Sequence, residues 1–394
     1  MSAAAGASGR GASPREVDSG DVPASAMTPE PRLQRRGFSK LPGWAEDDAL
    51  LAFRIFRAGA AHRLAGGAEL RAGKAPTPEF VELGRAAMAS RPSTQAQARG
   101  FFEAHCSPHE ILPQPQAPFF TGYFEPEVDG ARQRGDAFRA PILARPADLA
   151  TLPQGGTLPG AEPPLPSARS RAGRLVPCPD RGAILDGALD GEGLALVWLR
   201  DEVEVFIVQV QVQGSARVRL PGGDLVRLRY AGRNGWPYRS IGRLLIAKGA
   251  IPEAEMSLEA LTGWLRAHPE EGRAVMRHNP SYVFFALDET LSPDDGPVGG
   301  AGLALAEGRS IAVDRGIWPY GLPFFVDVER PEPGGGWGRW RRLMLAQDTG
   351  AAMLGAGRAD LFFGSGVEAG SLAGRQRHHG RLFVLLPARG PHAG

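Results

Sequence analysis

Lysine is nearly absent from this sequence: Lys40, Lys74 and Lys248 are the only ones among 45 basic residues, so the positive charge is carried by arginine. No run of those arginines is long enough for a nucleic-acid-binding arm, and the net charge is only +2, so no nucleic-acid partner is expected. Cysteine is scarcer still. Cys106 and Cys178 cannot build a four-cysteine zinc site, and whether they form a disulfide is left open. No apolar run reaches the length of a transmembrane helix. There is no G-x-S-x-G elbow and no G-x-x-x-x-G-K-[ST] loop, and the glycines around 296–302 do not form a dinucleotide fingerprint after a strand. His105, Cys106 and His109 offer three potential ligands with no fourth nearby, so neither a metal nor a cofactor is expected.

Glycine and proline, by contrast, are abundant, at 53 and 35 of 394 residues. That share excludes a coiled coil or an all-helical bundle, because neither residue sits comfortably inside a helix. Hydrophobic residues still make up 43%, enough for a sizeable core, and the length suggests two domains or one with an insert.

Residues 1–36 contain no apolar stretch of the signal-peptide kind and read as a disordered tail. Apolar spacing then predicts helices within 44–64, 78–91 and 95–105. After Pro113 the texture changes to short apolar runs bounded by Gly and Pro, at 119–124, 138–145, 195–199, 205–213, 216–220 and 225–230. The clearest alternation is Val208-Gln209-Val210-Gln211-Val212-Gln213, read as a strand with valines on one face and glutamines on the other. Between 146 and 179 no periodicity is visible, and the stretch reads as a surface excursion. Helices return at 240–248 and 257–267, with Ser257 as N-cap of the second. Strands resume at 282–287, 310–313, 324–329, 343–347, 361–363 and 382–386, a pattern that favours barrels over a parallel α/β sheet.

The chemistry concentrates around Asp348 and Asp360, which flank a glycine-bearing loop, each beside an apolar run. A carboxyl group at the end of a buried strand is held protonated by desolvation, and a second carboxylate close by raises one pKa further. Asp314 similarly ends the run 310–313. The plainer reading of all three is that each caps a turn.

Five segments, in order, tip that balance. Ala312-Val313-Asp314, Gln347-Asp348-Thr349-Gly350 and Arg358-Ala359-Asp360-Leu361-Phe362-Phe363-Gly364 together resemble the three-aspartate 3D domain of the A family of lytic murein transglycosylases. Phe120-Thr121-Gly122-Tyr123-Phe124-Glu125-Pro126 resembles that family's T-G-Y-[YF]-x-P segment, and Gln213-Gly214-Ser215 its Q-G-S. Tyr230-Ala231-Gly232-Arg233-Asn234-Gly235-Trp236-Pro237-Tyr238 is similar to its Y-x-G-x-N-G-x-P-Y, and Asn279-Pro280-Ser281-Tyr282-Val283-Phe284-Phe285 to its N-x-S-Y-V-F-F.

The resemblance implies a mainly β fold with flanking helices: a double-psi β-barrel 3D domain plus an inserted second β-barrel domain, with a groove between them. It divides the chain into a tail (1–36), N-terminal helices with the first part of the barrel (37–124), the insert (125–283) and the 3D domain (284–394). The implied activity is cleavage of the β-1,4 bond between N-acetylmuramic acid and N-acetylglucosamine in peptidoglycan, leaving 1,6-anhydromuramoyl ends. Asp360 then takes the acid/base position, Asp348 orients and tunes it, and Asp314 supports both. Arg358 is expected to point away, because an ion pair with either Asp would lower the pKa. Thr121, Gly122, Tyr123, Gln211, Gln213, Gly214, Ser215, Asn234, Tyr238 and Tyr282 are the implied substrate-binding residues, although core packing explains the tyrosines equally well. The implied partners are peptidoglycan glycan strands and cell-wall synthesis or division complexes. The implied location is the periplasm or outer-membrane-associated envelope, inferred from the substrate because no signal or lipidated cysteine is visible. A two-carboxylate muramidase and a non-catalytic glycan-binding protein on the same fold are the rivals.

Overall fold

The computed structural model describes residues 30–152, 156–211, 215–288, 292, 295–350 and 353–388, apart from the side chains at 210 and 211. In chain order the elements are β1 (Leu33–Arg35), α1 (Ala49–Leu64), α2 (Pro78–Ala89), α3 (Gln95–His105), β2 (Cys106–Ile111), β3 (Phe119–Glu125) and β4 (Glu127–Asp129). There follow β5 (Ala140–Leu143), β6 (Leu149–Thr151), β7 (Ser167–Arg171), β8 (Arg174–Val176), α4 (Arg181–Leu185), β9 (Ala195–Leu199), α5 (Glu202–Gln211), β10 (Ser215–Arg219) and β11 (Leu225–Arg233). The last stretch holds α6 (Ile241–Ala247), α7 (Leu258–Ala267), α8 (Pro269–His278), β12 (Val283–Asp288), β13 (Ser310–Val313), β14 (Pro323–Pro331), β15 (Trp337–Asp348), β16 (Arg358–Ser365), α9 (Gly366–Arg375), β17 (Arg377–His379) and β18 (Arg381–Pro387).

These elements form two compact units, and the aspartates belong to the one that contains residues 30–130, 215–230 and 295–388. Its centre is a nine-stranded sheet in the order β1-β2-β18-β14-β15-β13-β16-β3-β17. Parallel and antiparallel pairings mix: β13 runs parallel to β15 and antiparallel to β16, which in turn runs parallel to β3. The sheet is mainly β as expected, but no closed barrel forms among the described residues. Helices α1, α2 and α3 start on the caps Asp48, Thr77 and Thr94, whose side chains accept from the N–H groups of Leu51, Phe80 and Gln97. Their buried faces carry Phe53, Phe56, Phe80, Phe101 and Phe102, in one core with Phe324, Phe325, Leu343, Leu345 and Phe383 from the sheet. Each fully buried ring of this kind contributes about 1.5–3 kcal/mol, so this core fixes the strands that carry the aspartates.

The second unit comprises Ala131–Gln211 and Ala231–Ala286 and contains the pair β5–β9 and the three-stranded sheet β6-β7-β8. It corrects two expectations. The run at 208–213 does not open as a strand: residues 202–211 are helix α5. Asp201 accepts from the Glu204 N–H at 2.7 Å, and the Glu204 carboxylate reaches back to the Arg200 N–H at 2.9 Å. That reciprocal capping starts a helix. Val203 and Phe206 then bury one helical stripe with Ile241, Leu245 and Leu265, so a period of 3.6 wins over the period of two written in the valines. The stretch 146–179 is not a bare excursion either. It holds β6, β7 and β8, and it buries Leu158, Leu165 and Ala168 in a core of its own.

Cys106, placed by sequence between a helix and a loop, is the first residue of β2. Cys106 and Cys178 are both buried free thiols whose pKa burial pushes up, Cys178 to about 12.

Candidate active site

Strand register sets the site. Ala312 on β13 is the cross-strand partner of Asp348 on one side and of Asp360 on the other. One strand further along, Asp360 pairs with Thr121 on β3. A single row across four strands therefore reads Asp348, Ala312, Asp360, Thr121. Directly paired residues share a face of the sheet, so the two carboxyl groups and the hydroxyl converge there.

Asp360 is 8% exposed. Its Oδ1 accepts from the Thr121 hydroxyl at 2.6 Å. Burial pushes its pKa up to about 6; the Arg358 charge and the Thr121 hydrogen bond pull it down, and the Asp348 charge pushes it up again. Asp348 is half-buried and its pKa is also raised by desolvation, against the N–H groups of Gly300 and Thr349, the Arg71 charge and Tyr123. The Gly300 N–H reaches Asp348 Oδ1 at 2.8 Å. This approach requires glycine, because a Cβ on residue 300 would lie 2.6 Å from the Tyr320 hydroxyl and 3.4 Å from that same Oδ1.

Asp314 is buried at the turn after β13 and ties Gly355 to it. Its carboxylate accepts from the Gly316 N–H at 2.9 Å and the Gly355 N–H at 2.7 Å. The Thr349 hydroxyl adds a 2.9 Å bond to the Val313 carbonyl. Thr349 and Gly355, between β15 and β16, are thus tied to β13 and the turn after it.

Arg358 makes no ion pair with Asp360 among the described residues, but it does not point away as expected: it reaches the hydroxyl bonded to that carboxyl group, and its charge lowers the Asp360 pKa. Its Nη2 donates to the Thr121 hydroxyl at 2.6 Å and its Nη1 to the Ala359 carbonyl at 2.8 Å. The Tyr123 ring lies 5.3 Å from that of Phe362. Its buried hydroxyl makes no hydrogen bond of good geometry. Burial, followed by the charges of Asp348 and Asp360, raises its pKa.

The remaining residues expected to bind substrate fall in different places. Gly122 sits against α9, where a Cβ would come within 2.8 Å of the Ala373 Cα and 2.9 Å of its carbonyl. Ser215 turns inward and donates to the buried Glu125 at 2.5 Å; Arg217 and Arg227 pair with the same carboxylate at 2.8 and 2.9 Å. Asn234, wholly buried in the other unit, donates to the carbonyls of Pro179 and Pro280 and accepts from the Tyr282 N–H. Tyr282 is buried there under the Arg181 guanidinium, 5.2 Å from its ring centre, and Tyr238 in the same unit is half-buried. Gln213 and Gly214, with the side chain of Gln211, lie outside the described residues.

Three participants escaped the sequence reading. Gly300 had its signal in the run Gly299-Gly300-Ala301-Gly302, set aside once it failed as a dinucleotide fingerprint. Tyr320 stood in the turn after Asp314; its buried hydroxyl has no hydrogen-bond partner among the described residues, and burial with the Asp348 charge raises its pKa. Glu125 lay inside the Thr121 segment, and nothing local marks it as a hub.

Comparison with known proteins bears on the whole chain. Residues 119–286 match the MltA specific insert domain and residues 309–386 match the 3D domain. A membrane-bound lytic murein transglycosylase from Agrobacterium tumefaciens is 35% identical, with a TM-score of 0.73 over 90% of this chain and 97% of that one. MltA from Neisseria gonorrhoeae is 31% identical, with a TM-score of 0.75 over 90% of this chain and 92% of that one. Membrane-bound lytic murein transglycosylase A of Vibrio cholerae is 34% identical over 271 residues, 68% of this chain. That match spans 64% of the Vibrio protein, a little under two thirds of its length. Fold and site together define a mainly β protein in which a 3D domain carries the aspartates and an MltA-specific insert interrupts the chain before it. The chain belongs to the membrane-bound lytic murein transglycosylase A family.

Proposed function

We propose that this protein is a lytic transglycosylase that cleaves the β-1,4 bond between N-acetylmuramic acid and N-acetylglucosamine in peptidoglycan, with Asp360 as its single acid/base. The observation that carries this reading is the row Asp348–Ala312–Asp360–Thr121, which holds one carboxyl group buried at a pKa of about 6. An acid poised there is partly protonated near neutral pH and can still accept a proton once ionised. In the first step the Asp360 proton passes to the glycosidic oxygen, and the N-acetylglucosamine leaves with its new hydroxyl. In the second, the muramoyl C6 hydroxyl attacks C1 of the same sugar and gives its proton to the Asp360 carboxylate. No water is consumed, and Asp360 returns to its starting state. The attack is intramolecular, so holding the ring in a reactive shape supplies much of the rate.

Asp348 is assigned to tuning this acid: its charge raises the Asp360 pKa, and the Gly300 N–H holds its Oδ1 in place. Tyr123, Gln211, Gln213 and Gly214 are the proposed glycan contacts, whereas Ser215, Asn234 and Tyr282 hold the scaffold. The mixed parallel and antiparallel pairing around β13 and β16 supports a double-psi arrangement for the 3D domain, with residues 125–283 as the insert. Peptidoglycan strands as the partner place the protein in the cell envelope; no helix among the described residues is long and apolar enough to cross a membrane.

The test is Asp360→Asn, which keeps the shape and removes the acid. Release of soluble muropeptides from purified peptidoglycan falls by about 10²–10⁴-fold, while binding to the same material persists. Turnover near that of the unmodified protein would refute the role given to Asp360.

A further inference from the structure

Among the described residues, Arg358 is a cation whose charge acts on Asp360 without its side chain touching the carboxyl group. It is partly buried, which lowers its pKa, and it lies over the Phe119 ring at 5.4 Å. Its Nη1 donates to the carbonyls of Ala359 and Phe119 at 2.8 and 3.3 Å. Those bonds fix the guanidinium and leave Nη2 aimed at the Thr121 hydroxyl, 2.6 Å away. A threonine hydroxyl has one proton and two lone pairs. With one lone pair taken by Arg358, the proton is directed along the 2.6 Å contact to Asp360 Oδ1.

We propose that Arg358 is a positioning residue for the Asp360 reaction, acting through Thr121: it orients and polarises the hydroxyl so that the ionised Asp360 carboxylate is met by a committed donor. This inference rests on the acid/base reading above and extends it. The ordering has a use in each half of the reaction. Burial alone would hold Asp360 protonated as a weak acid that gives up its proton with difficulty. A donor aligned on the carboxylate stabilises the ionised form produced by the first step, and a charge at one remove does so without the full pKa collapse of a direct ion pair. Sequence places Arg358 two residues before Asp360 on the same strand, so both side chains lie on one face, and β3 supplies the hydroxyl that bridges them.

The groups that set the Asp360 titration come from each neighbouring strand. β15 contributes Asp348, β16 contributes Arg358, β3 contributes Thr121 and Tyr123, and β13 contributes only Ala312. On α9, Glu368 is exposed and Arg375 is engaged with the Glu332 carbonyl; on β17, Arg377 is exposed. Arg358 is thus the nearby cation whose removal changes the balance at Asp360.

The experiment is the pH profile of kcat/KM for muropeptide release from purified peptidoglycan by the full chain, in Arg358→Met, Thr121→Val and the double variant. The alkaline limb reports Asp360 losing its proton. In Arg358→Met it moves up by about 0.5–1 pH unit, and in Thr121→Val it moves in the same direction. The double variant shifts by less than the sum of the two single variants, because part of the arginine's effect runs through the hydroxyl. Arg358→Gln, which keeps a donor without the charge, shifts less than Arg358→Met and serves where the methionine variant does not fold. An unmoved limb in Arg358→Met or Arg358→Gln overturns the proposal, as does a fully additive double variant. Asp360→Asn separates the two readings. If that variant is active, the acid/base assignment fails; if it is inactive and the Arg358 limbs stay fixed, only the positioning role fails.

Discussion

Thr121 donates a 2.6 Å hydrogen bond to Asp360 across the parallel pairing of β3 and β16, linking residues 239 positions apart in the chain. The contact joins β3 to β16, and it makes the titration of Asp360 a property of two strands. A carboxyl group so placed must be desolvated to stay an acid and hydrogen-bonded to become a base. The first condition carries a cost in stability that can be measured, and the second offsets part of it.

The desolvation of Asp360 predicts a pH-dependent stability. Its folded pKa, about 6, lies above its ordinary value of 3.8, so the folded state binds more protons between those values. Stability from this group is therefore complete below about pH 4 and is lost as pH rises through about 6. Asp360→Asn removes the titration, and the variant should gain on the order of 2–3 kcal/mol relative to the unmodified protein at pH 7. The gain should disappear below about pH 4. Urea unfolding midpoints of the two proteins from pH 4 to 8 read this directly; a constant difference across that range would contradict it.

Glu125 predicts a large structural penalty. Its carboxylate is 1% exposed and holds Arg217, Arg227, Ser215 and Ser365. Glu125→Ala leaves Arg227, itself 5% exposed, without its anion. Breaking one side of such a pair costs about 3–5 kcal/mol. The expected result is a lower denaturation midpoint of that size, or an insoluble protein. An unchanged midpoint would show that the cluster is not a structural hub.

Gly122 separates packing from substrate contact. The backbone of α9 stands where its Cβ would be, so Gly122→Ala forces β3 and α9 apart. Overpacking of this kind costs about 1–3 kcal/mol, visible in the unfolding midpoint. If the midpoint holds and only KM rises, Gly122 serves the glycan and not the helix.

The three aspartates stood out in the sequence because each adjoins an apolar run, a local signal that the family resemblance turned into a site. Their arrangement was not: that Ala312 stands between Asp348 and Asp360 follows from strand order, which no spacing encodes. Thr121 and Ser215 were legible as motif residues, but their hydroxyls serve Asp360 and Glu125, partners fixed by pairing across the sheet. Asn234 looked like a sugar ligand because it is polar; buried and bonded to Pro179, Pro280 and Tyr282, it closes a knot of backbone groups. The helix α5 was misread because Val208-Gln209-Val210-Gln211 alternates, while the deciding signal, Asp201 with Glu204, sat just upstream.

The central claim is that the muramoyl C6 hydroxyl, and not water, attacks the bond that Asp360 protonates. Digestion of purified peptidoglycan in ¹⁸O-labelled water, followed by mass analysis of the released muropeptides, tests it most directly. The expected products are anhydro ends, one water lighter than reducing ends, with no ¹⁸O incorporated. Reducing ends carrying ¹⁸O would contradict it and identify the protein as a two-carboxylate hydrolase.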